Sequence, residues 1–127
     1  MSEIVIDASA LLALVRAEPG AEVVASYMGR AAISSVNLAE TYGRLLREAF
    51  RPDEFRRDLE ALNFEIHSFD TDQAFAAGRM EPATRPFGLA LGDRACLALA
   101  QTLGVPAMTA DRQWMKVDIG VEVKLIR

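Results

Sequence analysis

The chain has 127 residues, of which 51% are apolar, and a formal net charge of −4. This length fits a single domain spanning residues 1–127 with a sizeable core, and the charge argues mildly against nonspecific binding to nucleic acid. Charged residues interrupt every apolar stretch before it reaches membrane-spanning length, and no signal peptide is recognisable, so we expect a cytoplasmic protein with no membrane partner.

Strand patterns alternate with helical patterns along the whole chain. Apolar runs of three to six residues indicate strands, and apolar residues at helical spacing between turn signals indicate helices. The predicted elements are, in order, a strand at 3–7, helices at 8–17 and 21–28, a strand at 31–33, helices at 36–50 (or from Ser35) and 52–62, a strand at 64–69, a helix from 70 to about 79, a flexible loop at 80–92, a helix at 93–103, and strands at 105–109 and 121–126.

This alternation predicts an α/β fold in which a mainly parallel sheet lies between helices. Right-handed crossover connections place such helices on both faces of the sheet. Functional sites in these folds form beyond the carboxyl ends of the strands, where the strand order reverses. Asp7 and Asp111 follow two predicted strands directly, so both are expected at that edge.

Four acidic residues are the strongest candidates for chemistry. They are Asp7 after the first strand, Glu40 one turn into a helix, Asp93 at the head of an apolar helix, and Asp111 after the strand at 105–109. Carboxylates that converge without a counter-charge repel each other and therefore require a cation. Hard oxygen ligands without nitrogen or sulfur favour Mg2+, with Mn2+ as the other candidate.

Four sequence blocks resemble a known family in order, spacing and total length. They are residues 4–13 (IVIDASALLA), 34–40 (SSVNLAE), 91–100 (LGDRACLALA) and 109–114 (TADRQW). Together they resemble the PIN-domain ribonucleases, and especially the toxin half of the VapBC toxin–antitoxin systems. The resemblance implies a three-layer α/β/α fold with a central parallel five-stranded sheet. It also implies Mg2+-dependent cleavage of RNA.

By motif position, the resemblance makes the four acids the catalytic and metal-binding residues, with Asp7 and Asp93 as the chief ligands. Ser9 corresponds to the hydroxyl residue that supports the first acid, and Thr109 to the hydroxyl two residues before the fourth. The chain departs from the pattern at Ala90, where many relatives carry serine, so one supporting hydrogen bond is expected to be missing.

The resemblance also implies partners. They are an RNA substrate, a cognate VapB-like antitoxin and a second copy of the chain. We expect the antitoxin tail to place an Arg or Lys among the carboxylates and apolar side chains in a groove near residues 11–15 and 38–46. The apolar helices at 38–50 and 55–62 are the expected dimer contacts.

Other interpretations of the acids remain open at this point. Taken singly, each acid also fits a helix cap or an exposed position. Among other Mg2+ proteins, a receiver domain needs paired acids after the first strand, where Asp7 stands alone. A haloacid-dehalogenase-type phosphatase needs a second Asp where Ser9 lies. A degenerate PIN domain that only binds protein is the non-enzymatic alternative.

The remaining chemically active residues have structural explanations that we favour. The one histidine, His67, is expected at the core edge or surface rather than in catalysis, and Trp114 in packing rather than in base stacking. Three arginines adjoin the expected site and are candidates for holding phosphate, although local pairing is the alternative for two of them. These arginines are Arg85, Arg94 and Arg112.

Overall fold

Five short strands form one parallel sheet in the computed structural model, which describes residues 1–127. The strands are β1 (Ile4–Ile6), β2 (Ala31–Ser34), β3 (Glu65–His67), β4 (Ala107–Thr109) and β5 (Val123–Leu125), in the spatial order β3-β2-β1-β4-β5. Every neighbouring pair runs parallel. The predicted five-stranded parallel sheet is therefore confirmed.

Seven α-helices surround this sheet. They are α1 (Ala8–Arg16), α2 (Ala21–Ala25), α3 (Ser35–Glu48), α4 (Pro52–Ala61), α5 (Thr71–Arg79), α6 (Glu81–Thr84) and α7 (Leu91–Leu103), with 3-10 helices at Arg85–Phe87 and Arg112–Lys116. None of these helices is both long and apolar enough to cross a bilayer.

Alternation of side chains along β1 divides the core into two layers. Ile4 and Ile6 face one side and pack in the cluster that contains Leu11 of α1. Val5 faces the other side and packs in the cluster that contains Leu97 of α7. Successive residues of a strand point to opposite faces, so a strand buried on both faces is apolar throughout. The result is the expected three-layer α/β/α architecture.

The segment 80–92 is the main error in the predicted elements. It was expected to be a flexible loop because it holds two prolines and two glycines, but it forms α6, a 3-10 helix and the start of α7. Both prolines lie in the first turn of their helices, where proline is compatible with helical geometry. The side chain of Thr84 is buried and donates to the Met80 carbonyl at 2.8 Å, so this segment is packed.

The strand order reverses beside β1. From β1 the chain first adds β2 and β3 on one side, then returns to place β4 and β5 on the other. The backbone N–H of Asp7 donates to the Met108 carbonyl of β4 at 3.1 Å. The carboxyl ends of β1 and β4 are thus adjacent, at the position where parallel α/β sheets bind ligands.

Candidate metal centre

Asp7 is the innermost of the four candidate acids. It directly follows β1 and is the N-cap of α1, and its Oδ1 accepts the backbone N–H of Ala10 at 2.9 Å. Only 4% of the residue is exposed. A carboxylate at a helix N-terminus satisfies an otherwise unpaired N–H and opposes the positive end of the helix dipole. The strand-to-helix junction therefore fixes the carboxylate in place.

Two hydroxyl groups, which we call the hydroxyl clamp, hold the carboxylate of Asp7. Ser9 Oγ donates to Oδ1 at 2.7 Å and Thr109 Oγ1 donates to Oδ2 at 2.6 Å. In turn, Ser9 Oγ accepts the N–H of Ala110 at 2.9 Å and Thr109 Oγ1 accepts that of Asp111 at 3.0 Å. Each hydroxyl has one proton, so both protons are committed to Asp7. The clamp joins the ends of β1 and β4.

Asp111 lies on the solvent side of this clamp. It is the N-cap of the second 3-10 helix, and its Oδ1 accepts the N–H of Gln113 at 2.9 Å. The residue is exposed. Its backbone is tied to Thr109 while its second carboxylate oxygen has no protein partner, so that oxygen is available to a ligand.

Asp93 lies in the first turn of α7. Its Oδ2 accepts the backbone N–H of Ala90 at 2.9 Å, which is one half of a capping box. The other half needs a hydroxyl at the N-cap, and the methyl group of Ala90 cannot accept a hydrogen bond. The departure noted at Ala90 therefore corresponds to a missing hydrogen bond at the N–H of Asp93.

Glu40 reaches α7 from the middle of α3. Its Oε1 accepts Nδ2 of Asn37 at 3.0 Å, and the same Nδ2 donates to the carbonyl of Gly92 at 3.0 Å. The carboxylate lies against Gly92, where a Cβ atom would come within 2.1 Å of Oε1. Glu40 is thereby placed beside the turn that carries Asp93.

Burial and mutual repulsion raise the pKa of three of these acids. Burial and, to a smaller extent, the charge of Asp93 raise the pKa of Asp7 to about 6, against the hydrogen bonds from Thr109, Ala10 and Ser9 that lower it. Burial, followed by the charge of Asp111, raises the pKa of Asp93. Burial and the charge of Asp93 likewise raise the pKa of Glu40, while Arg44 lowers it. Each acid thus feels at least one of the others.

No cationic side chain forms an ion pair with any of the four acids. Six ion pairs are present, and all lie elsewhere; they are Arg16–Glu48, Arg30–Glu3, Arg51–Glu54, Arg56–Glu60, His67–Glu65 and Arg85–Glu81. Buried carboxylates normally have a charged partner or a metal ion. The charges of Arg44 and Arg94 partly offset the repulsion at this edge of the sheet, but no ion pair relieves it.

The four acids do not form a closed cage of ligands. No three His, Cys, Asp or Glu side chains lie together in an arrangement that would hold a metal ion by themselves. Such a loose, oxygen-only set suits Mg2+, which keeps several waters and takes one or two carboxylates from the protein. Asp7 and Asp93 are the residues that could hold it.

The structure also locates the other residues considered from the sequence. Trp114 is fully buried, so it packs in the core, as favoured, and base stacking is excluded. His67 lies on the edge strand β3 and contacts Glu65, away from the acids. Arg85 is paired with Glu81. Arg94 donates to the Leu89 carbonyl at 3.4 Å.

Sequence analysis missed three residues that shape this site. Asn37 and Gly92 lie in the sequence blocks 34–40 and 91–100 but were given no role at the site. Arg44 was not considered, although its charge acts on both Glu40 and Asp93. Its spacing of four residues after Glu40 places it on the same helix face, and that spacing was the available signal.

The apolar groove of the molecule is separate from the acids. It has a volume of about 390 Å³ and lies between α3, α4 and β3, lined by Ser35, Leu38, Ala39, Tyr42, Arg56, Leu59, Glu60 and Ile66. The expectation that residues 11–15 would line a groove is wrong for Leu11 and Leu12, because both are buried in the core. Residues of α3 do line the groove, but its other wall is α4 and not α1.

Comparison with known proteins identifies the family. A model of the PIN domain matches residues 4–120. The chain belongs to the PIN domain family. No curated protein sequence matches it.

Solved PIN-domain structures share its fold. A DNA-bound VapBC from Salmonella typhimurium is 17% identical over 100% of both chains, with a TM-score of 0.78. A toxin–antitoxin complex from Klebsiella pneumoniae is 20% identical over 98% of both chains, with a TM-score of 0.75. VapC20 of Mycobacterium tuberculosis, a toxin that cleaves the sarcin-ricin loop, is 18% identical over 94% of this chain and 98% of its own, with a TM-score of 0.71.

Proposed function

We propose that this PIN domain is a Mg2+-dependent endoribonuclease that hydrolyses RNA phosphodiester bonds. One observation carries the proposal: Asp7 is buried and clamped by two hydroxyls, yet has no cationic partner, and Asp93 and Asp111 add negative charge beside it. Because no ion pair relieves this repulsion, the carboxyl edge of the sheet is suited to binding a cation. Its fold relative VapC20, a toxin that cleaves the sarcin-ricin loop, supports the choice of substrate class.

The residues have distinct tasks in this proposal. When bound, Mg2+ would supply positive charge to the phosphate oxygens and lower the pKa of water. Asp7, fixed by its clamp, would hold the ion. Asp93, Glu40 and Asp111 would hold water around the ion, and Asp93 and Glu40, whose pKa burial raises, would accept the proton of the attacking water. Arg44, exposed and without an ion pair, is placed to attract phosphate.

The products follow from the residues present. No imidazole lies at the acids, since His67 is on the far edge strand, so no histidine is available to activate the ribose 2′-hydroxyl. Water is then the nucleophile, and in-line attack leaves a 3′-hydroxyl and a 5′-phosphate.

The test is a ribonuclease assay with a matched pair of variants. Asp7→Asn should lower cleavage by roughly a thousandfold, the scale of losing a group at the reacting centre. Asp58→Asn, an exposed acid of α4, should cleave like the parent protein. Cleavage that persists in excess EDTA, or products ending in 2′,3′-cyclic phosphate, would contradict the proposal.

We further propose that the enzyme is the toxin of a type II toxin–antitoxin system. Its fold relatives include toxin–antitoxin complexes, and the uncompensated acids offer an inhibitor a place for one Arg or Lys bound to two carboxylates. Apolar side chains of the same partner would enter the groove between α3 and α4. Co-expression with the cognate antitoxin should restore growth and block Mg2+ binding. An inhibited complex that binds Mg2+ at full affinity would rule this arrangement out.

A homodimer is the proposed assembly of the enzyme. Large apolar side chains remain exposed outside that groove, including Phe50 after α3 and Phe75 of α5. Burying them between two copies would remove apolar surface from water. Light scattering at micromolar concentration should give twice the chain mass of 13.9 kDa; a monomer there would count against it.

A further inference from the structure

We propose that Gly92 and Asn37 are positioning residues that hold the Glu40 carboxylate at the candidate metal centre. Neither residue touches the reacting atoms; both act through Glu40. This inference rests on the proposed function, because it assigns Glu40 a place in that site.

Gly92 is required for space and not for backbone conformation. Its φ does not lie in the left-handed region, so an L-residue fits the backbone. Yet a Cβ would lie 2.1, 2.6 and 2.7 Å from Oε1, Cδ and Oε2 of Glu40. In an α-helix glycine costs about 1 kcal/mol relative to alanine. Glycine is therefore found in the first turn of α7 at the position where a larger residue would overlap the Glu40 carboxylate.

The obstacle to a methyl group at position 92 is the end of a flexible side chain. All three atoms that it would meet belong to the carboxylate of Glu40. That carboxylate can rotate away without unfolding α7. A Gly92→Ala variant should therefore fold and displace Glu40, which separates the positioning effect from loss of structure.

Asn37 ties the carboxylate to α7. Its side chain is 1% exposed, and Nδ2 bonds both Glu40 and the Gly92 carbonyl. Turning the amide over would set Oδ1 against two oxygens, so the orientation is fixed. Oδ1 is consequently left buried without a partner, which costs free energy. An apolar side chain at position 37 would avoid the free-energy cost of a buried unpaired oxygen. It could not, however, hold the Glu40 carboxylate against repulsion by Asp93.

The first test is the binding of Mn2+ to the whole protein. Gly92→Ala should weaken it about tenfold, the scale seen when a group that orients a metal ligand is lost. Gly78→Ala is the matched control, because Gly78 is a helical glycine with nothing near its absent Cβ, and it should bind like the parent. Glu40→Ala should weaken binding to the same extent, and adding Gly92→Ala to it should cause no further loss.

Rescue by size gives a second arm. Glu40→Asp shortens the side chain, so the Gly92→Ala/Glu40→Asp double variant should bind Mn2+ more tightly than Gly92→Ala alone. Parent-like affinity in Gly92→Ala, or losses that add in the Glu40→Ala background, would overturn the inference.

A third readout does not depend on metal. The side-chain amide resonance of Asn37 should shift in Gly92→Ala and in Glu40→Ala and stay in place in Gly78→Ala. An unchanged resonance in Gly92→Ala would refute the positioning role. If the parent protein bound no Mn2+, the proposed function would fail, while this resonance would still decide whether Gly92 and Asn37 position Glu40.

Discussion

The two ends of strand β1 carry acids that the protein treats in opposite ways. Glu3 precedes the strand at its amino end, is exposed, and forms an ion pair with Arg30. Asp7 follows the strand at its carboxyl end, is buried, and receives only neutral donors. The three residues between them are apolar, so the contrast arises from the surroundings and not from the strand itself.

The same contrast extends across the sheet. At the amino end, hydrogen bonds from His67 and Ser2 lower the pKa of Glu65. At the carboxyl end, burial raises the pKa of Asp7 and Asp93. Each of the two amino-end acids thus has an arginine or a histidine in contact, whereas Asp7 and Asp93 have neither. This selective omission favours a cation-binding role over unrelated caps.

The largest expected effect on stability is that of Asp7→Asn in metal-free protein. Burial raises the pKa of Asp7 from 3.8 to about 6, so the folded state binds its proton more tightly than the unfolded state. The contribution of Asp7 to the free energy of unfolding is thus greatest below pH 3.8. It is lost as the pH rises to about 6, and it does not return at higher pH. The charged form costs up to about 3 kcal/mol at neutral pH, and Asp7→Asn should recover roughly 1–3 kcal/mol of it.

Urea unfolding at several pH values measures this effect. The gain from Asp7→Asn should disappear towards pH 3.8, where Asp7 is protonated in both states. Glu3→Gln is the control at the other end of β1 and should show no such gain. A variant that is less stable than the parent at neutral pH without metal would mean that Asp7 acts mainly as a cap.

Removing one neutral donor should make the carboxyl end less stable. Thr109→Val keeps the shape but leaves Oδ2 of Asp7 and the N–H of Asp111 without partners. We expect a loss of about 1–3 kcal/mol and a further rise in the pKa of Asp7. Thr109→Ser keeps the hydroxyl and should retain that pKa, followed by carboxyl NMR. If the pKa of Asp7 were the same in Thr109→Val and Thr109→Ser, the Thr109 hydroxyl would not stabilise the Asp7 carboxylate.

Completing the cap at Asp93 should have a smaller, favourable effect. Ala90→Ser supplies the acceptor that the N–H of Asp93 lacks, and should raise the free energy of unfolding by about 0.5–1 kcal/mol. The matched control is Ala90→Val, which adds volume without an acceptor at this exposed position. A similar gain from valine in thermal melts would show that the hydrogen bond is not the cause.

The smallest effect is expected at the amino end of β1. Arg30→Gln breaks an exposed ion pair with Glu3, and such pairs contribute about 0–1 kcal/mol. Added salt should reduce the difference between variant and parent, because salt screens exposed charges. If Arg30→Gln lowered the free energy of unfolding as much as Thr109→Val does, the amino and carboxyl ends of β1 would contribute equally to stability. The contrast between them would then not hold.

Much of the fold could be predicted because its signals are local. The apolar runs at 4–6 and 107–109 and the helical spacing around α3 and α7 depend only on neighbouring residues. The placement of Asp7 and Asp111 at one edge followed from the rule for parallel strands. The helices in segment 80–92 were not predicted because proline occurs both in the first turn of helices and after their ends. The two prolines therefore did not distinguish a helix from a loop.

The finer geometry of the site required contacts between distant segments. Asn37 meets Gly92 across 55 positions, and Ser9 meets Ala110 across 101. No periodicity in the sequence encodes which face of α3 packs on α7 or how closely. The sequence therefore pointed to the four acids and to the two hydroxyls of the clamp, but not to Asn37, Gly92 or Arg44, which lie around Glu40.

Calorimetric titration of Mg2+ into the metal-free protein tests the central claim most directly, since that claim is that the carboxyl-end acids are left unpaired for a divalent cation. The parent protein and Glu3→Gln should bind Mg2+ with the same affinity at neutral pH. Asp7→Asn should bind it at least about tenfold more weakly, because it loses a negatively charged ligand. Equal affinity in Asp7→Asn and the parent, or no binding to the parent, would contradict the account.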